Sequence, residues 1–341
     1  MKLFSRFQQI PYRTRRLIRR IAIITAVVLA VALLIWGCWM IWLQRYVIYT
    51  RQGARLDFSL NPTLPEGELA TEPSLPKVEF EYREDAATHD ADLELKKLEG
   101  YYISAQELGD IPGVKERLRD LPKGTPVMVE VKSIRGNFFY NSNVAGYRAS
   151  DVIDPAAMDE LIDYMDQRGL YAIAYLPALR DYNYGLHHVS DGLPTPGGWL
   201  WMDDDGCYWL NPSSQGTISY LTTILTELRD LGFDEAVLYD FRFPDTTGIV
   251  YSGDRSAALA SAAKTLVTTC GTERFAVSFV VDTGFTLPQG RCRMYRRNVA
   301  ASQVENVAEE SGLETPETHL VFLTDIHDTR FNDYSVLRPL P

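Results

Sequence analysis

The chain has 341 residues, 46% of them hydrophobic, with 34 Lys and Arg against 45 Asp and Glu for a net charge of −11. That apolar content excludes a wholly disordered chain, and four cysteines in no metal-binding spacing exclude a disulfide scaffold or a zinc module. Seven of the cations and none of the acids fall within the first 44 residues, so the rest carries about −18, which argues against nucleic acid and anionic lipid as partners of that part.

Residues 1–20 are a basic arm containing Lys2, Arg6, Arg13, Arg15, Arg16, Arg19 and Arg20. Residues 21–43 then carry no charge and are almost wholly apolar. As a helix this run extends about 34 Å, enough to cross a hydrocarbon core of about 30 Å. The arm predicts a cytoplasmic N-terminus, and Trp36, Trp39 and Trp42 suit the outer headgroup interface. The expected localisation is therefore a single-pass cell-membrane protein with its main domain extracytoplasmic. A cleaved signal peptide fits less well because the apolar core runs on to Leu43.

Residues 44–95 read as an extracytoplasmic stalk. Pro62, Pro65, Pro73 and Pro76 are interleaved with Glu66, Glu68, Glu72, Glu79, Glu81 and Glu84, a composition that buries little surface. From residue 96 the pattern changes to alternating βα units. Strands are expected at 100–104, 126–132, 170–177, 235–241, 275–281 and 319–324. Helices are expected at 112–120, 155–168, 214–231, 254–269 and 298–311. No glycine-rich phosphate loop follows the first strand, so the α/β class narrows to a TIM-like (β/α) barrel over 96–341. Six strands are legible, which leaves room for an incomplete barrel.

The strand ends carry the chemistry. In 126–132 the valines Val127, Val129 and Val131 share one face, which sends Glu130 and Lys132 inward. Asp181 follows the third strand. In 232–244 the strand alternation groups Ala236, Leu238, Asp240 and Arg242 on one face, read as the barrel interior, with Val237, Tyr239 and Phe241 outside. Glu235 opens this strand, at the end remote from catalysis. Asp282 ends the fifth strand on the face of Ser278, and Asp325 follows the last. The 191–211 insertion carries Trp199, Trp201 and Trp209, flat platforms suited to sugar rings or, alternatively, a small satellite core.

Converging carboxylates suit glycoside cleavage, in which one acts as nucleophile or base and the other as general acid. The alternative for Asp240 with Arg242, and for Glu130 with Lys132, is a structural ion pair. Asp181, Asp282 and Asp325 can equally be loop or capping residues. Arg291, Arg293, Arg296 and Arg297 read as a solvated helical face or as a site for phosphate-bearing wall polymers. His187, His188 and His327 form no strong metal motif, so neither metal nor cofactor is expected. Cys270 and Cys292 are close enough in the pattern to pair, with Cys207 left over.

The 232–244 segment resembles the signature of a bacterial family assigned to the glycoside hydrolases, with a TIM-barrel domain. That family is commonly membrane-anchored or secreted and is distantly similar to the α-amylase superfamily. Residues 100–104, 130–132, 179–181 and 209–212 resemble its first, second and third strands and the start of its next helix, so the resemblance covers roughly 98–283. It implies that Asp240 is the acid after strand four, the nucleophile position of the wider superfamily, with Arg242 its neighbouring cation. Glu130 stands where the family usually has Asp, Tyr175 where an Arg is usual, and no Glu closes strand five. The site implied has Asp240, Glu130 and Asp282 as catalytic groups and Arg242, Lys132, Asp181, Trp199, Trp201 and Trp209 as substrate-binding groups. The function expected is hydrolysis of an envelope, extracellular or cell-wall polysaccharide. A non-catalytic glycan-binding or envelope-scaffold protein on a degenerate barrel is the second reading.

Overall fold

A computed structural model describes residues 95–281 and 285–341, together with 47–50, 53–56, Leu29 and Trp36. Apart from Leu29 and Trp36, the apolar run 21–43 lies outside the described residues, as do the basic arm and most of the expected stalk. Among the described residues no helix is long and apolar enough to cross a membrane. Within the segment read as a stalk, two strands at Val47–Thr50 and Gly53–Leu56 pair antiparallel.

The larger unit is a closed barrel of eight parallel strands. In chain order these are β1 (Glu99–Ile103), β2 (Pro126–Glu130), β3 (Tyr171–Pro177), β4 (Glu235–Tyr239), β5 (Ala276–Val280), β6 (Met294–Arg297), β7 (Leu320–Leu323) and β8 (Ser335–Pro339). Val336 of β8 pairs with Glu99 of β1 and closes the ring. The barrel is therefore complete. Its two unforeseen strands are β6, half arginine, and β8, which ends in proline; both lack the apolar run that marks a strand in sequence. The arginines read as a helical face thus belong to β6 and the segment entering it, and Asp325 follows β7 rather than the last strand.

The outer layer comprises α1 (Ile111–Leu118), α2 (Pro155–Arg168), the short α3 (Tyr182–His187), α4 (Gln215–Asp230), α5 (Arg255–Cys270), α6 (Val304–Ser311) and the one-turn α7 (Pro316–His319). Local chemistry sets the helix starts. Asp154 accepts from the Ala156 amide with Pro155 at the first helical position. Ser214 and Asp254 cap α4 and α5 by accepting from the Gly216 and Ala257 amides. Gly169, at φ 63°, closes α2 in the left-handed geometry that glycine adopts without strain. No helix is present among the described residues between β5 and β6.

Strand alternation separates two cores. Val127, Val129, Ala174, Ala236, Leu238, Val277 and Phe322 face the helices. Met128, Ile173, Val237, Tyr295, Val321 and Leu337 fill the interior. On β4 this reverses the sequence expectation: Glu235, Val237 and Tyr239 point inward, while Ala236 and Leu238 point out. Asp240 lies one residue past the strand at φ 50°, a conformation costly for a non-glycine residue. The left-handed turn ends the strict alternation there, so the outward face of Ala236 and Leu238 no longer decides where Asp240 points.

The floor of the barrel is polar but paired. Glu235 and Arg293, 0% and 1% exposed, form an ion pair across the interior. Glu235 also accepts from Tyr171 and Tyr295, each at 3.0 Å, and from Ser278. Arg293 further donates to the carbonyls of Thr318 (3.0 Å) and Lys96 (2.8 Å). The charged groups thus trade water for a full set of partners, the condition for tolerable burial. Cys207, Cys270 and Cys292 are all free and buried, so Cys270 and Cys292 do not pair.

Candidate active site at the barrel mouth

At the C-terminal mouth, Glu130 at the end of β2 accepts a hydrogen bond from the Tyr239 hydroxyl at 2.9 Å. Tyr239 stacks on Tyr175 of β3, ring centroids 4.5 Å apart at 26°. Arg297, ending β6, donates to the Tyr175 hydroxyl at 2.8 Å and lies 5.7 Å from the Tyr239 ring centre. Burial raises the Glu130 carboxyl above its ordinary range, while the Tyr239 hydrogen bond and the nearby Arg297 charge pull the other way. A cavity of about 220 Å³ opens here, bounded by Tyr102, Glu130, Tyr175, Arg297 and Asn298. Asn298, like Asp240, has positive φ (57°). Non-glycine residues held this way at strand ends gather at functional sites.

Asp240 stands beside this group. Burial raises the hydroxyl pKa values of Tyr175 and Tyr239; Arg297 draws Tyr175 back, and the charges of Glu130 and Asp240 act upward on both hydroxyls. Arg180 approaches Asp240 at 3.7 Å and Arg242 at 4.0 Å. Arg180 also pairs with Asp203 at 2.6 Å and with Asp205. Burial opposes the charge on Asp203, yet its bonds from Arg180, the Cys207 amide and the Trp209 indole hold its carboxyl below the usual range.

The insertion is tied to Asp240 through this arginine. Trp209 is buried at 3% exposure, with the guanidinium carbons of Arg242 and Arg180 at 5.1 and 5.8 Å from its ring. It packs with Leu193, Phe243 and Ile249, so Trp209 belongs to a satellite core and its rings are closed to a sugar. Trp201 is half-buried against the same cluster. Trp199 is 79% exposed at the tip of a tight turn, where its amide and carbonyl are both bonded by Thr195.

Two expected site residues lie elsewhere. Lys132 and Asp181 are each 0% exposed and pair at 2.6 Å. The lysine lies beneath the Phe138 and Tyr220 rings, and Asp181 caps α3 while accepting from the Tyr220 hydroxyl at 2.8 Å. Strand β2 ends at Glu130, so strict alternation no longer aims Lys132 inward; the pair supports the loops under the outer layer and cannot reach a ligand. Asp282 lies outside the described residues. Tyr175, Tyr239 and Arg180 join the site unforeseen as site residues, and Arg297, read in sequence as part of a helical face or a phosphate-polymer site, joins them from the end of β6. Arg180 left a signal through its place beside Asp181 in the 179–181 motif.

An eight-stranded (β/α) barrel with acidic and aromatic groups gathered at its C-terminal mouth defines a protein of the TIM-barrel, glycoside hydrolase-like class. Residues 100–273 match the family model described as "Putative glycosyl hydrolase domain", and the chain belongs to that family. Among solved structures, a GH36 α-galactosidase variant from Geobacillus stearothermophilus is 12% identical with a TM-score of 0.50, covering 72% of this chain and 39% of that one. An α-galactosidase from Lactobacillus brevis is 8% identical, TM-score 0.49, covering 73% and 38%. A hypothetical protein from Ruminiclostridium thermocellum is 15% identical, TM-score 0.45, covering 52% of this chain and 96% of its own. The chain spans about two fifths of the length of the galactosidases it matches, and at these identities the likeness is one of fold. No match was found among curated protein sequences.

Proposed function

We propose that this chain is a membrane-anchored, extracytoplasmic glycoside hydrolase acting on an envelope or extracellular polysaccharide. One observation supports the reading: Glu130 lines the mouth cavity, and Asp240, one residue past β4, lies near enough for its charge to act on the same Tyr175–Tyr239 pair. Glu130, buried and raised, suits the acid that protonates the glycosidic oxygen as the C1–O bond breaks. Asp240, flanked by Arg180 and Arg242, suits the group that attacks C1 or activates water. Asp282 is the alternative acid. Trp199 offers an open ring face for a further sugar unit. The anchor and orientation are supported by the uncharged run at 21–43 and the basic arm before it.

The test is incubation of the purified full-length chain with a panel of bacterial envelope and extracellular polysaccharides. New reducing ends are the expected result. Retention of a glycan without any cleavage would replace hydrolysis with the non-catalytic binding reading. The Tyr239–Glu130 bond gives that second reading some footing, since it occupies one oxygen of the proposed acid.

A further inference from the structure

Within the mouth cavity, Arg297 presents its guanidinium near Glu130, whose carboxyl its charge draws down. Among the described residues its polar partner is the neutral Tyr175 hydroxyl, its charge lies over the Tyr239 ring, and no carboxylate oxygen stands within 4 Å. The same cavity is lined by Asn298, fixed at φ 57°, and by the Tyr102 phenol, raised by burial and then by the charges of Asp325 and Glu107. Glu130 also lines it, and a buried carboxyl with a raised pKa is a better donor than an ordinary one. The site thus presents a guanidinium, a carboxamide, phenols and a carboxyl group around one small space, with Met128 and Leu323 as apolar lining.

We propose that this cavity binds a sugar unit bearing a single carboxylate or comparable oxyanion, with Arg297 as the residue that selects it. This deepens the hydrolase reading and rests on it for the assignment of the mouth as the substrate site. A guanidinium meets a planar oxyanion with two parallel donors, a match no neutral hydroxyl reproduces. At about 220 Å³ the space is below the ~300–1,000 Å³ of pockets that enclose a whole drug-sized ligand, so it admits one ring or substituent rather than a chain. The acidic excess of the chain after residue 44 repels polyanions at long range. A sparsely charged glycan fits these two facts together; a densely sulfated polymer does not.

The experiment is calorimetric titration of the full-length chain with the methyl glycosides of glucuronate, galacturonate and mannuronate. Each is compared with its neutral hexoside, and sodium sulfate serves as a free oxyanion. At least one uronoside is expected to bind about tenfold or more tighter than its neutral partner. Arg297→Gln should erase that preference, and Arg297→Lys should restore part of it. Equal binding of each acidic and neutral pair, no binding of any sugar, or a preference that survives Arg297→Gln would overturn the proposal. Sulfate binding without uronoside preference would also overturn it, marking a free-anion site. Asp240→Asn separates the two readings. If the variant and the wild type bind the uronoside alike and neither cleaves any glycan, the hydrolase reading fails and the acidic-sugar site stands. If cleavage is found on neutral glycans alone, the hydrolase reading stands and the acidic-sugar site fails.

Discussion

Arg293→Ala is expected to destabilise the barrel by about 3–5 kcal/mol, the usual cost of leaving one charge of a buried pair unpartnered. Glu235 would keep its bonds from Tyr171, Tyr295 and Ser278 but lose the only cation paired with it among the described residues. The backbone carbonyls of Thr318 and Lys96 would lose a donor as well. For a domain of this size the melting temperature should fall by roughly 6–20 °C. Replacing both partners, Glu235→Leu with Arg293→Met, should recover part of the loss, because the desolvation cost goes with the charges while the Tyr171, Tyr295 and Ser278 hydroxyls lose their acceptor. Thermal and denaturant unfolding measure both. A single-variant loss below about 1 kcal/mol would show that the floor network is not a major stabiliser.

Asp240→Asn is expected to lower kcat/KM on any cleaved glycan by about a thousandfold or more, the scale of losing a group that acts at the reacting centre. The fold should be nearly untouched. Arg180 keeps Asp203 and Asp205, and Arg242 keeps its place over Trp209. The left-handed backbone at 240 tolerates asparagine at least as well as aspartate. Matched melting curves with a large kinetic loss separate a chemical role from a structural one; similar rates would return Asp240 to the status of a mouth ion pair.

Most of the barrel could be read in the chain. Six of its strands and five of its helices carry ordinary patterns, apolar runs for the first and capped amphipathic stretches for the second. The two hidden strands fail for opposite reasons. In β6 the arginines look solvated, yet Arg293, just before it, is fully buried by a partner 58 residues earlier. In β8 a proline stands at the strand's end, where a lost donor costs little. The site was half legible. Glu130 and Asp240 stand at the mouth because strand ends converge there whatever the register. Tyr239 was misplaced because a bulky aromatic was assumed to seek the helices, whereas this one is held inside by Tyr175 and Glu130. Long-range pairings such as Arg180 with Asp203 and Arg297 with Tyr175 arise from closure of the barrel and leave no local pattern.

The division of labour between the two carboxyl groups is tested most directly by the pH dependence of kcat/KM. A general acid must carry its proton. Because burial raises Glu130, it stays protonated above the ordinary carboxyl range, and activity is lost only as pH climbs through that raised value. The wild type should therefore show a basic limb lying above the usual glutamate range, and Glu130→Gln should lower the rate and abolish that limb. A basic limb unchanged in Glu130→Gln would contradict the assignment.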